Sequence, residues 1–159
     1  MKRVFTVLFC LVGALLVLSG CANQSGNVST AATFGAQDFY YVETLPADKR
    51  GIDSIIAQSF RERGFKASAG PMGDVPPGAT FVVSYEDRWM WDMTMYMTNL
   101  KIDIRNRTGG TVAQAESFRP SLQRISPEAM VDETLDEIFK EVDMKYVTPE
   151  KEGEKDHKF

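Results

Sequence analysis

Two long alternating stretches constrain the fold of this chain more than any other feature. Apolar and polar residues alternate along much of residues 80–90 and of residues 95–107. The apolar positions are Phe81, Val83, Tyr85 and Trp89 in the first stretch, and Tyr96, Leu100, Ile102 and Ile104 in the second. The opposite positions include Ser84, Glu86 and Arg88, and then Asn99, Lys101, Asp103 and Arg105. Successive side chains of a strand point to opposite faces, so this period of two predicts two strands with one buried face each. Gly109 and Gly110 then form a hairpin turn before a third strand, residues 111–118, which completes a meander.

The remaining elements add helices and a crossover. Residues 38–45 and 65–69 have strand composition. Apolar residues at helical spacing follow Asp48 and Ser126, each of which can cap a helix. These apolar stripes are Ile52, Ile55, Ile56 and Phe60, and then Val131, Leu135, Ile138, Phe139 and Val142. The order predicts an α+β two-layer sandwich, in which two helices cover one face of a mixed sheet that contains the three-stranded meander.

The N-terminal residues have the pattern of a secretion signal. Lys2 and Arg3 precede an apolar run, residues 4–18. Because this run is shorter than the roughly 20 residues that span a bilayer, it is typical of a cleaved signal rather than of a transmembrane helix. Small residues Ser19 and Gly20 then precede Cys21.

Leu18-Ser19-Gly20-Cys21 resembles the lipobox of bacterial lipoproteins. The resemblance implies that residues 1–20 are removed and that Cys21 carries a diacylglycerol and a further acyl chain, such as palmitate. Several acyl chains anchor a protein stably, because each buried methylene contributes about 0.8 kcal/mol. Cys21 is not followed by aspartate. In enteric lipoproteins, an aspartate directly after the lipidated cysteine is associated with retention in the inner membrane. The absence of an aspartate here therefore favours the periplasmic face of the outer membrane.

Cleavage at Cys21 predicts four segments. Residues 1–20 are the signal peptide, and residues 21–37, rich in small polar residues, are expected to be a lipidated flexible tether. Residues 38–147 form a single α+β domain, and residues 148–159 form a charged disordered tail. Loss of Lys2 and Arg3 takes the net charge from −4 to −6, which argues against nucleic acid as a partner. Cys10 leaves with the signal, so no disulfide is expected.

The sequence offers little for catalysis. The single histidine is His157 in the predicted tail, so a Ser-His-Asp triad, a Cys-His pair and a multi-histidine zinc site are not expected. Glu86 and Asp87 are adjacent in a strand and point to opposite faces, so they cannot flank one bond. We therefore expect no enzymatic activity and no cofactor other than the lipid on Cys21.

Both tryptophans and four of the eight methionines fall within residues 89–97. Alternation predicts that Trp89 and Tyr96 point into the core, whereas the methionines share the polar face. One interpretation is mixed core packing. Another is an adaptable interaction surface, because methionine and tryptophan are common at binding interfaces. Its residues are Trp89, Trp91, Met93, Met95 and Met97. A third is a Cu(I) site, since thioethers are soft ligands; its ligands are Met93, Met95 and Met97.

The domain also resembles small lipoproteins of uncharacterised function from Gram-negative envelopes. The shared pattern includes an early aromatic strand, Gly64-Phe65 after a helix, Thr108-Gly109 before the last strand and a final amphipathic helix. The resemblance implies a non-enzymatic binding or structural accessory component of the cell envelope. We expect it to contact the membrane through its lipid and to bind another envelope protein or a second copy of itself. The alternative is a periplasmic carrier of Cu(I) or of a small apolar ligand.

Overall fold

A computed structural model of the protein describes residues 22–28 and 34–140. Within these ranges the chain forms one six-stranded sheet, two α-helices and a short 3-10 turn. The strands are β1 Asn23–Val28, β2 Phe39–Thr44, β3 Lys66–Pro71, β4 Phe81–Asp92, β5 Thr94–Asn106 and β6 Thr111–Phe118. The helices are α1 Ile52–Glu62 and α2 Pro127–Lys140, and the 3-10 turn is Ser121–Gln123.

The sheet is mixed, as the sequence predicted. Its strand order is β1-β6-β5-β4-β2-β3. β2 runs parallel to both β3 and β4, because α1 crosses over between β2 and β3, and the other neighbours are antiparallel. α1 packs on β2 and β3, and α2 packs on β1, β5 and β6. The α+β two-layer sandwich, its β4–β5–β6 meander and its two helices on one face are therefore confirmed.

Aromatic rings form the core beneath α1. Tyr40 on β2 lies against Phe60 of α1, with the ring centroids 4.4 Å apart, and against Phe81 of β4 at 5.2 Å. Phe34 and Phe65 pack on the same group. Fully buried aromatic side chains each remove a large apolar area from water, so this group contributes much of the stability of a domain without disulfides in its described residues.

Asp48 holds the start of α1, as the sequence predicted. Its carboxylate accepts hydrogen bonds from the backbone N–H groups of Arg50 and Ile52, both at 2.7 Å, and from that of Gly51 at 3.1 Å. The hydroxyl of Tyr85 donates a fourth, at 2.7 Å. Burial alone would raise the pKa of Asp48, but these donors favour the carboxylate and bring the pKa below its usual value.

The two helices are joined by ion pairs at the end of α1. The Arg63 guanidinium contacts Asp132 at 2.9 Å and Asp136 at 2.6 Å, and Asp132 also accepts a hydrogen bond from Ser59. Burial opposes ionisation of Asp132, but the hydrogen bonds from Ser59 and Arg63 and the charge of Arg63 bring its pKa below the usual value. Arg63 is largely buried and its partners satisfy it, so the cluster fixes α1 against α2.

The tether prediction was wrong for residues 23–28, which form the edge strand β1 along β6. The segment is polar, yet its backbone completes the ladder of β6, and the Gln24 side chain donates to Glu133 of α2 at 3.0 Å. Gly26 allows α2 to approach: a Cβ at this position would lie 2.9 Å from Cγ of Glu137. An edge strand is stabilised by backbone pairing and helix contact, so it needs no apolar alternation.

Several sequence predictions concern residues outside the described ranges. They are the signal peptide over residues 1–20, Cys21, residues 29–33 of the predicted tether, residues 141–147 of the predicted domain, with Val142 of the second apolar stripe, and the tail over residues 148–159. Among the described residues, neither helix has the length and apolar character needed to cross a membrane.

The first prediction concerns the cap at Asp48. Because the folded state lowers the pKa of Asp48, its stabilising effect should be complete above pH 4–5 and should disappear as the pH falls through the folded pKa. Asp48→Asn should lower the free energy of unfolding at pH 7 by about 0.5–2 kcal/mol and weaken its acid dependence. Urea unfolding at several pH values measures both effects. Asp74→Asn, in an exposed loop, is the control, and an equal effect of the two variants would contradict the assignment.

Candidate functional site

The β4–β5 hairpin extends well beyond the rest of the sheet. β2 pairs with β4 only from Tyr40↔Phe81 to Val42↔Val83, and pairing between β5 and β6 ends at Asn99↔Phe118. Past the pair Arg88↔Asn99, β4 and β5 have only each other as strand partners. We call this projecting part, residues 89–97, the hairpin tip.

A β-bulge at the base of the hairpin tip reverses the faces of β5. Arg88 pairs with Asn99, but Trp89 pairs with Met97, so Thr98 has no partner of its own in the register. The Thr98 hydroxyl donates to the Arg88 carbonyl oxygen at 3.2 Å. One extra residue puts the side chains on its two sides out of alternation, so those between the bulge and the turn lie on the face opposite to the one that strict alternation predicts. Met97 therefore lies in the core, 2% exposed, on the same face as Leu100.

The hairpin tip exposes a cluster of apolar side chains. Trp91 is 71% exposed and Met93 is 88% exposed, and about half of Met90 and of Met95 is exposed. Trp91 and Met95 are cross-strand partners, as are Met90 and Tyr96, so apolar groups occur on both faces of the hairpin tip. Monomeric domains rarely expose several large apolar groups together without an interface.

Two arginines brace the hairpin tip from the body of the domain. The Arg124 guanidinium lies 4.0 Å from the Tyr96 ring centroid and pairs with the Asp92 carboxylate at 2.6 Å. The Arg50 guanidinium lies 4.3 Å from the Trp89 ring centroid. The two cation–π contacts and the Arg124–Asp92 ion pair hold the base and the turn of the hairpin tip in place. The exposed apolar side chains therefore lie on a hairpin that the rest of the domain supports.

The turn itself is strained at Met93. Its φ is 60°, a left-handed conformation that costs most residues with a Cβ roughly 1–2 kcal/mol and that glycine adopts readily. Asp92 and Thr94 pair directly across it, which makes the turn very tight. A long apolar side chain at a position that suits glycine, and almost fully exposed, contributes nothing to core packing.

The structure divides the five residues of the predicted interaction surface. Trp91, Met93 and Met95 are exposed, whereas Trp89 is half-buried against the core and Met97 is in the core. The prediction that Met97 points outward was wrong because of the bulge at Thr98. Tyr96, expected in the core, is buried, 9% exposed, with the Arg124 guanidinium over its ring. The sequence contains no glycine or proline at the bulge to mark it.

The burial of Met97 also argues against the Cu(I) site that the sequence suggested. Its three ligands were expected on one exposed strand face, but Met97 would have to leave the core to bind a metal with Met93 and Met95. A carrier of a small apolar ligand needs a pocket, typically of about 300–1,000 Å³. The described residues include an open depression of about 180 Å³, lined by Asn27, Thr111, Val112, Ala113 and Gln114. Its small volume and its mixed polar and apolar lining favour neither ligand.

Several ionisable side chains of the described residues form structural pairs. Arg105 contacts Glu43 at 2.7 Å on the open face of the sheet, and Arg119 contacts Glu133 at 2.5 Å beside α2. Within residues 22–28 and 34–140, no three histidine, cysteine, aspartate or glutamate side chains are grouped so as to hold a metal ion. By contrast, packing within the described residues does not explain the exposed apolar side chains of the hairpin tip.

Comparisons with known proteins show the fold. No protein-family model matches the chain, and no curated protein matches it significantly. The structure is similar to PelC from Paraburkholderia phytofirmans, solved as a dodecamer in two crystal forms. In one form the TM-score is 0.55 with 14% identity over 73% of this chain and 98% of PelC, and in the other it is 0.50 with 16% identity over 76% and 96%. At these identities the likeness concerns architecture alone.

Two looser matches have TM-scores below 0.5. TolB from Acinetobacter baumannii gives 0.46 with 10% identity, and the match covers 77% of this chain and 32% of TolB. A minor lipoprotein from Acinetobacter baumannii gives 0.32 with 16% identity over 65% of this chain and 91% of that protein. The structural neighbours thus include a lipoprotein, at a similarity too low to support an argument about this chain.

The second prediction compares Met97 with Met93. Strict alternation along the strand predicts both on the same exposed face, whereas the bulge buries Met97. Met97→Ala should lower the free energy of unfolding by about 2–5 kcal/mol, because it leaves a cavity in the core. Met93→Ala makes the same chemical change at an exposed position and should alter it by no more than about 0.5 kcal/mol. Urea unfolding of both variants measures the difference. Equal losses would show that the bulge is absent.

Proposed function

We propose that this protein is a lipid-anchored, non-enzymatic accessory component of the bacterial cell envelope, on the periplasmic face of the outer membrane, and that it acts by binding through the hairpin tip. The observation that carries the proposal is the exposed apolar cluster of Trp91, Met93 and Met95 on a braced hairpin. Exposed groups of this kind bring no benefit to folding, so binding is the simplest reason for their presence.

The lipobox-like sequence supports the anchor. β1 begins at Asn23, only two residues after Cys21. A lipid on Cys21 would therefore hold the folded domain directly against the bilayer, whereas a tether of 16 residues would have allowed it to move roughly 20–24 Å away. With β1 in this position, the anchor would limit the distance between the domain and the bilayer as well as set the location.

A binding role agrees better with the described residues than catalysis does. The buried ionisable groups, such as Arg63 and Asp48, are occupied with holding helices in place. An active site needs a nucleophile or an acid–base pair beside a cleft that admits a substrate. The open depression beside β1 and β6 contains neither.

Self-association is a second candidate for what the hairpin tip binds. The fold is similar to that of PelC, which the crystal structures describe as a dodecamer. An identity of 14% is too low to infer that the interface of PelC is present here. The quenching experiment described below distinguishes self-association from binding to lipid.

The third prediction tests the anchor. Cys21→Ser removes the thiol that would receive the diacylglycerol, so radiolabelled palmitate should no longer be incorporated. The variant should accumulate as an uncleaved precursor or appear without lipid in the periplasm. Cys10→Ser, within the signal segment, is the matched control and should be labelled normally. Undiminished labelling of the Cys21→Ser protein would refute the anchor.

The fourth prediction tests the hairpin tip in intact cells. A photo-crosslinking amino acid at position 91 should form adducts with an envelope component. The same group at position 108, in the exposed β5–β6 turn at the opposite end of the sheet, should not. Combining the probe at position 91 with Met93→Ser and Met95→Ser should reduce the adducts while the melting temperature stays nearly unchanged. Equal adducts at positions 91 and 108 would contradict a binding role for the hairpin tip.

A further inference from the structure

The register of the sheet places the start of β1 and the hairpin tip at the same end of the domain. Asn23 pairs with Phe118, Phe118 with Asn99, and Asn99 with Arg88, so these residues form one row across four strands. β1 and β5 are both antiparallel to β6 and therefore run in the same direction. The chain that precedes Asn23 leaves the sheet on the side to which the hairpin tip projects.

The hairpin tip reaches further in this direction than Cys21 can. From the row at Arg88, the hairpin continues for five residues to Met93, which is roughly 16 Å at about 3.3 Å per residue. Cys21 lies two residues before Asn23, so an extended chain carries it at most about 7 Å beyond the same row. Measured along the strands, the turn at Met93 thus lies roughly 9 Å further from the row than the residue that would carry the lipid. Interfacial protein segments are buried about 5–10 Å in the boundary between headgroups and acyl chains.

The side chains at this end suit the membrane interface. Tryptophan is favoured there because its ring is apolar and its N–H polar, and Trp91 is the most exposed tryptophan of the domain. Leu122, in the 3-10 turn after β6, is 91% exposed, and Phe118 at the end of β6 is also exposed. Arg124, two residues after Leu122, contacts Asp92, so the 3-10 turn lies at the same end of the domain as the hairpin tip.

The charges at this end also suit a lipid surface. Residues 88–97 contain one cation, Arg88, and one anion, Asp92, and Asp92 is paired with Arg124. Much of the acidic excess lies elsewhere, including Asp132, Glu133, Asp136 and Glu137 on α2. An acidic domain can therefore approach phosphate headgroups with this end without strong repulsion.

We propose that the hairpin tip inserts into the interface of the same leaflet that holds the Cys21 lipid, with Trp91 and Met93 among the lipid headgroups and upper acyl chains. The inference rests on the lipid anchor of the proposed function and identifies what the hairpin tip binds. A folded partner fits less well, because stable interfaces bury about 800 Å² per partner. A two-stranded tip with four partly exposed apolar side chains presents roughly a few hundred Å². A second attachment point converts a swivelling anchor into a fixed orientation.

The test measures the depth of each tryptophan in the bilayer. The processed, lipidated full-length protein is reconstituted into vesicles of phosphatidylcholine and phosphatidylethanolamine, some of which carry bromine on the upper acyl chain. Trp89→Phe leaves Trp91 as the single tryptophan, and Trp91→Phe leaves Trp89, half-buried under Arg50, as the matched control. Bromine should quench Trp91 several-fold more strongly than Trp89, and Trp91 emission should shift to shorter wavelength relative to detergent-free, urea-unfolded protein.

The outcomes separate the insertion from the anchor. The mass of the N-terminal peptide shows whether Cys21 carries lipid, and a peptide without lipid refutes the proposed function whatever Trp91 reports. If the lipid is present but aqueous iodide quenches Trp91 and bromine does not, insertion is overturned and the anchor stands. If Trp91 is protected from both quenchers, it is covered by protein, which overturns insertion in favour of a second copy of the chain.

Discussion

The pairing of β4 with β5 is the constraint on which the rest of the structure depends. These two strands are the longest and occupy the middle of the sheet, with β2 and β3 added on one side and β6 and β1 on the other. Their inner residues Val83, Tyr85, Ile102 and Ile104 form the surface that both helices cover. Any shift in this register would move those side chains to the wrong face, so the ladder determines both the core and the place where the hairpin leaves it.

The bulge at Thr98 is the point at which the ladder changes from core to projecting hairpin. Below it, alternate residues of β5 pack against the helices. On the side of the hairpin tip, Met97 and Trp89 still pack against the core, and Arg50 and Arg124 brace Trp89 and Tyr96. Because the bulge reverses the alternation, Met97 fills the core beside Leu100. The methionine-rich stretch is thus divided between packing and exposure. The interpretation as core packing applies to Met97, and the interpretation as an interaction surface applies to Met93 and Met95.

The elements that the sequence predicted well are those with local physical signals. Alternation indicated β4, β5 and β6, and capping residues indicated both helix starts: Ser126 accepts from the backbone of Ala129 as Asp48 does from that of Ile52. β1 and the bulge lacked such signals. β1 is polar because backbone pairing and contact with α2 stabilise it, and the bulge arises from strand pairing that only the assembled sheet defines. The burial of Met97 therefore could not be obtained from alternation.

The position of β1 links these two unpredicted features. With a flexible tether, the hairpin tip could have pointed in any direction relative to the membrane, and its apolar groups would have had no defined neighbour. With β1 paired to β6, the sheet begins two residues after Cys21, and the sheet register sets the direction of the hairpin relative to the proposed anchor. α2 begins near this end and, as its contacts from Gln24–Glu133 to Gly26–Glu137 show, runs away from it alongside β1. A domain attached at Cys21 and at the hairpin tip would therefore present the β5–β6 turn and the C-terminal end of α2 to the periplasm, where a soluble partner would meet them first.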